Sequence, residues 1–217
     1  MNVVLIVAIL IFSIVVHEVA HAWQARREGD DTADKLGRIT LNPLPHLDPM
    51  GSFIVPAVLY FSGSGFLFGW ARPVPVVKAN YREPVAGDIR VSLAGIVSNL
   101  VLAVLCTLFM AVLVKADAVV GPLGAFGDTV YDALNYGILI NLILAFFNLL
   151  PIPPLDGSHV MAHLLPDALR RPYERVSEWG ILVLIGIMYL VPGAFSVVLW
   201  PVYELRGLAD WFVRLWI

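Results

Sequence analysis

The sequence predicts an all-α, polytopic membrane protein of a single domain, and three observations carry that prediction. Hydrophobic residues make up 59% of the 217 and charged residues only 14%. A typical soluble domain carries about a quarter charged residues, so much of this surface faces something other than water. Four apolar runs, residues 2–23, 91–114, 134–150 and 179–200, approach the roughly 20 helical residues that a bilayer core requires. Basic residues, finally, gather in two of the three segments between these runs and almost avoid the third.

The first run begins MNVVLIVAILIFSIVV and continues directly into His17 and Glu18. It has no basic n-region and no small-residue cleavage site, so it reads as a retained helix and not as a secretion signal. A fifth apolar stretch, residues 50–69, is interrupted by Pro56, Gly63 and Gly65. Its unbroken part, 52–62, would rise only about 16 Å as a helix. It is expected to be re-entrant, buried against protein. Residues 69–77 (GWARPVPVV) read as a short extended element, with Pro73 and Pro75 suited to an edge and not to a central strand. The tail, 201–217, mixes Glu204, Arg206, Asp210 and Arg214 with leucine, tryptophan and phenylalanine, a pattern for an interfacial helix. The domain divides into a core, 1–165, and C-terminal helices, 166–217.

Charge placement sets the expected topology. Arg26, Arg27, Lys35 and Arg38 follow the first run, Arg72, Lys78, Arg82 and Arg90 precede the second, and Arg170, Arg171 and Arg175 separate the third from the fourth. The connection 115–132 holds only Lys115. The positive-inside rule makes the three basic segments cytoplasmic, with the N-terminus outside and the first and third helices ending near the cytoplasmic face of the cell membrane. A net charge of −3 gives a nucleic-acid partner no electrostatic support, and the single cysteine, Cys106, excludes a disulfide within the chain.

The chemistry is concentrated in His17-Glu18-Val19-Ala20-His21. Residues four apart share one helix face, so both imidazoles can reach one metal ion. Glu18 is placed to act as general base on a water at that ion. Zinc suits nitrogen and carboxylate ligands in tetrahedral array, and a three-ligand site leaves one position open. Asp156, in Asn148-Leu-Leu-Pro-Ile-Pro-Pro-Leu-Asp156-Gly157, is the best candidate for the third ligand. Pro151, Pro153 and Pro154 hold that chain extended as it leaves the third helix, on the side where His21 lies. The competing role for Asp156 is N-cap of a helix beginning at Gly157.

HEVAH (17–21) and NLLPIPPLDG (148–157) together resemble the site-2 protease family of intramembrane zinc metalloproteases, in its short bacterial or archaeal form. GRITLNPLPHLDPMGS (37–52), GWARPVPV (69–76) and LAGIVSNL (93–100) support the likeness, which spans most of residues 2–165. It implies one zinc ion bound by His17, His21 and Asp156, with Glu18 as base, and hydrolysis of peptide bonds in or beside the membrane spans of protein substrates. It also likens Asn148 to the family asparagine near the scissile carbonyl, a donor to the oxyanion. By physics alone Asn148 serves equally as a helix-end or interhelix hydrogen-bonding group. The family often has Gly-Pro where this chain has Gly95-Ile96, which removes no catalytic group. Neither a PDZ insertion nor a nucleotide-binding appendage is visible.

The remaining polar residues read more plainly. Asn99, beside Gly95 and Ser98, is expected to join helices. His46 is expected to fix a loop or support a ligand from behind. His159 and His163, four apart, could form a second metal site but lack a nearby acid, and solvated helix faces are the favoured reading. The alternative function is a metal-transporting or metal-sensing membrane protein, which has no need of Glu18 as a base. A silent scaffold for membrane helices would have no use for an open zinc position.

Overall fold

The computed structural model describes residues 3–61, 69–121, 123–191 and 193–216. In chain order the α-helices are α1 (Val3–Glu28), α2 (Thr32–Lys35), α3 (Val55–Phe61), α4 (Pro84–Val120), α5 (Gly124–Asn148), α6 (Asp156–Leu164), α7 (Asp167–Arg175), α8 (Gly180–Leu190) and α9 (Ala194–Arg214). No strand occurs among the described residues. Three of these helices, α1, α4 and α5, are long and apolar enough to cross a membrane.

The first three expected spans are present, each longer than its apolar run. At 37 residues, α4 would extend about 56 Å, well past the roughly 30 Å of a bilayer core. It starts on Pro84, whose missing N–H costs nothing at a first helical position. The expected connection 115–132 is mostly helical instead: α4 runs to Val120 and α5 begins at Gly124. The turn is made where Gly121 takes φ +93° and the Leu123 N–H donates to Asp117 Oδ1.

The fourth expected span is divided. The sequence there reads Val191-Pro192-Gly193, and Gly193 takes a left-handed φ of +81° between α8 and α9. At 11 residues, α8 is too short to cross. The expected interfacial helix 201–217 is not separate either. It continues α9, whose Val202 and Ala209 are buried against Ala103 of α4 and Ile138 and Leu142 of α5. Arg206, one turn from Val202, donates to Asn135 O of α5, so even a charged residue of this stretch faces the bundle.

The core of the molecule is the contact of α1, α4 and α5. Small residues let the backbones approach, as expected between membrane helices: a Cβ on Gly137 would lie 2.7 Å from Cys106 Sγ. The outer face of α4, with Val101, Val104, Leu108, Phe109 and Val112, is apolar and exposed, as a lipid-facing surface requires.

The described part of the expected re-entrant stretch is a π-turn helix, Pro49–Ile54, followed by α3. The rest, 62–68, lies outside the described residues. Residues 69–77 form no strand ladder. Their N–H groups are nonetheless taken up at alternate positions, as in an extended chain: Trp70 N–H donates to Gly51 O, Arg72 N–H to His46 O and Val74 N–H to Glu18 Oε2. Asp30, fully buried, then receives Val77 N–H, Asn80 Nδ2 and both donors of Thr32.

Candidate metal centre

On α1 the helical repeat brings His17 and His21 together edge to face, with ring centroids 4.6 Å apart and their Nε2 atoms 3.0 Å apart. His17 Nδ1 meets Asn99 Oδ1 at 2.6 Å, and His21 Nδ1 meets the Val91 carbonyl at 2.7 Å. A carbonyl only accepts, so His21 carries its proton on Nδ1 and presents a lone pair at Nε2.

Asp156 is the first residue of α6 and not its cap, which is Leu155. Its carboxylate faces the histidines, with Oδ2 3.1 Å from His17 Nε2 and 3.3 Å from His21 Nε2. The following Gly157 is required by packing, since a Cβ there would strike the Leu149 carbonyl at the end of α5. The three ligand atoms all lie within 4.8 Å of one another, and among the described residues these side chains form the group able to hold a metal ion.

Two further observations fit a cation to this place. Asp156 Oδ2 is buried without a hydrogen-bond partner, and it faces imidazole nitrogens that offer electron pairs. Converging lone pairs with no proton between them repel unless a positive ion lies among them. The second is Gly95 of α4: a Cβ there would stand 2.5 Å from His17 Cε1 and from His21 Nε2. The helix approaches the two rings as closely as it does because that position has no side chain.

Glu18 stands beside the ligand set and outside it, its Oε2 accepting the Val74 N–H at 2.9 Å. A cavity of about 520 Å³ joins these groups, lined among others by Glu18, Trp70, Pro73, Val74, Asn148 and Asp156. Asn148 thus reaches the cavity wall, while its Nδ2 donates to Leu144 O at 2.9 Å, the helix-end bond that its position allows.

His46 fixes a loop, as expected. It is 1% exposed, its Nε2 is 3.0 Å from Thr40 O and its own carbonyl accepts Arg72 N–H. Asn99 does more than join helices, because it touches His17. The spacing Gly95-xxx-Asn99 places both on one face of α4, and that was the available signal. The expected solvated face for His159 and His163 is corrected. An acid distant in sequence reaches them, with His163 Nε2 2.8 Å from Asp88 Oδ2, and Lys78 Nζ bonds both Asp88 and His159 Nδ1. Burial and the neighbouring Lys78 ammonium push His159 below its ordinary pKa.

A bundle of apolar helices with histidines, a carboxylate and a second acid gathered at an internal cavity defines a membrane-embedded metallopeptidase. The chain belongs to peptidase family M50, whose model matches residues 5–191. It is 40% identical over 196 residues to "Putative zinc metalloprotease YwhC" of Bacillus subtilis, covering 90% of this chain and 84% of that protein. Two proteins of the same description, both called Rip2, are also similar. That of Mycolicibacterium smegmatis is 30% identical, covering 97% of this chain and 77% of its own length. That of Mycobacterium tuberculosis H37Rv is 29% identical, with 95% and 75% covered. No solved structure matches. The chain is a zinc-dependent endopeptidase of the membrane, acting on membrane proteins, and nothing in the comparisons supports metal transport.

Proposed function

We propose that His17, His21 and Asp156 hold the zinc ion, that Glu18 is the general base, and that Asn148 assists at the oxyanion. The observation that carries this reading is the meeting of two Nε2 atoms from α1 with one carboxylate oxygen from α6, with a second carboxylate beside them in the same cavity. When bound, zinc lowers the pKa of a water toward about 7 and polarises a carbonyl. Glu18 is held through one oxygen by Val74 N–H. Its other oxygen takes the proton of the attacking water and passes it to the leaving amine. Asn148 spends one N–H on Leu144 O, and its second N–H is available to the developing oxyanion.

A transmembrane helix has its carbonyls tied up in its own hydrogen bonds, so substrate must unwind before attack. The 69–77 segment, fixed along one edge and lining the cavity, supports docking of the unwound peptide alongside it. The basic ends support a cytoplasmic-facing site with the N-terminus outside. Arg90 pairs with Glu28 and Glu83, and Asp88 with Lys78 and His163, so the charged ends of α1 and α4 and the last turn of α6 lie together. Impermeant labelling of introduced cysteines should then mark residues 121–124 from outside and residues 30–38 only after lysis. Labelling of both from outside would reverse the topology. The chain is one domain, 1–217, as the packing of α9 into the α4–α5 core supports.

The decisive experiment compares zinc content and cleavage of a single-span substrate in detergent. Glu18→Gln should keep zinc and lose cleavage. Asn148→Ala should keep zinc and a near-normal melting temperature while turnover falls at least about tenfold. Normal turnover by Glu18→Gln would end the mechanism, and normal turnover by Asn148→Ala would return that residue to the scaffold.

A further inference from the structure

Behind His17, away from the cavity, three uncharged polar side chains are buried in three different membrane helices. Ser13 of α1 and Asn99 of α4 have no accessible surface, and Asn141 of α5 is 2% exposed. Asn141 Nδ2 donates to Gly137 O at 2.8 Å and to Ser13 Oγ at 2.9 Å. Asn141 Oδ1 accepts Asn99 Nδ2 at 2.8 Å, and that nitrogen is also 3.4 Å from Ser13 O. Asn99 Oδ1 accepts His17 Nδ1 at 2.6 Å.

The direction of every bond in this chain follows from backbone carbonyls, above all Gly137 O at 2.8 Å from Asn141 Nδ2, with Ser13 O at a longer 3.4 Å from Asn99 Nδ2 acting in the same sense. The Gly137 carbonyl can only accept, so it claims the nitrogen end of the Asn141 amide. The oxygen end of Asn141 must then face Asn99 and take its nitrogen. That turns the Asn99 oxygen toward His17, where it requires an N–H on Nδ1. A neutral imidazole carries one proton, so Nε2 is left as a lone pair, 3.0 Å from His21 Nε2 and 3.1 Å from Asp156 Oδ2. A reversed Asn141 would set its oxygen against the Gly137 carbonyl oxygen in a place with almost no accessible surface, an uncompensated polar contact.

We propose that Asn141 is a positioning residue for zinc, acting through Asn99 to fix the His17 tautomer, although it touches neither His17 nor the cavity. Groups that orient a ligand from behind change metal affinity by about 10- to 100-fold when removed. Interhelix glue alone would contribute to bundle stability and leave the histidine proton where it was. The inference rests on the reading of His17 as a zinc ligand, and its test separates the two.

The test uses the whole protein in detergent, with zinc affinity from chelator competition and the His17 tautomer from nitrogen-15 NMR of histidine-labelled apoprotein. Wild type should show His17 protonated at Nδ1. Asn99→Leu should weaken zinc binding about 10- to 100-fold, and Asn141→Leu about tenfold with mixed His17 tautomers. The double variant should bind zinc no more weakly than Asn99→Leu alone, because Asn141 acts through Asn99. Ser13→Ala should leave zinc affinity within about threefold, since Gly137 still sets the polarity. If Asn141→Leu does not fold, Asn141→Ala takes its place. Wild-type His17 protonated at Nε2 would overturn the proposal without any variant. So would wild-type zinc affinity in a folded Asn141 variant, or additive losses in the double variant. A wild type with the expected tautomer that binds no zinc would instead refute the ligand reading.

Discussion

The polar groups on the two sides of the histidine pair differ in kind. On the membrane side, Ser13, Asn99 and Asn141 are uncharged, almost without accessible surface, and joined by bonds of 2.6–2.9 Å with one consistent direction. On the open side, Asp88, Lys78, His159 and His163 are ionisable, and only Asp88 is deeply buried. The side chains of Lys78 and His159 are 48% and 41% exposed. Charge deep in the bundle would carry a large desolvation cost, whereas matched amides give fixed orientation without it. Near water, an ion pair can tie α4, α6 and the 76–80 loop together at low cost, and it is screened accordingly. The two groups therefore differ in what they hold, one bonding the His17 ring from within the bundle and the other tying surface elements together.

That division is open to direct attack. The largest effect is expected at Gly95, on the membrane side. Gly95→Ala puts a methyl 2.5 Å from ring atoms of both histidines, and those rings are held by hydrogen bonds and cannot simply step aside. Zinc affinity should fall at least about tenfold, with overpacking adding about 1–3 kcal/mol of destabilisation. Chelator competition and thermal melting in detergent measure both. An alanine variant with unaltered zinc binding would mean that the rings have room that the helix contact denies them.

A smaller effect belongs to the open side. Asp88→Asn keeps the shape and removes the charge that Lys78 and His163 share. Stability should drop by about 1–2 kcal/mol, discounted because Lys78 is half-exposed. Zinc affinity should stay within roughly twofold, as for an independent site. High salt should shrink the stability difference between wild type and this variant. A large loss of zinc from Asp88→Asn would erase the contrast and make the cluster part of the metal centre.

Much of this was legible in the sequence, and the legible parts share a cause. Periodic local signals do not depend on what packs where: His17 and His21 fall on one face because a helix repeats every 3.6 residues, and the prolines after Asn148 forbid helix whatever surrounds them. The apolar runs announced α1, α4 and α5 for the same reason. The limits of those helices were less legible. Hydropathy records where lipid can be, and α4 and α5 continue beyond that region on hydrogen bonds alone. The break at Val191–Gly193 was written as Pro-Gly, but the apolar residues on both sides disguised it as one span.

By itself, the sequence determined the chemical kind of this protein: a helical membrane chain with two histidines and an acid on one turn, and an aspartate after a proline-stiffened exit. Only the tertiary structure decided which distant groups complete that chemistry. Asn99, Asn141 and Ser13 are scattered over 128 residues and read singly as polar residues in apolar helices. Asp88 lies 75 residues from His163. The physical reason is that a hydrogen bond needs two partners in register. Local sequence fixes the direction of each side chain on its own helix, and the partner across the gap is set by how the helices cross.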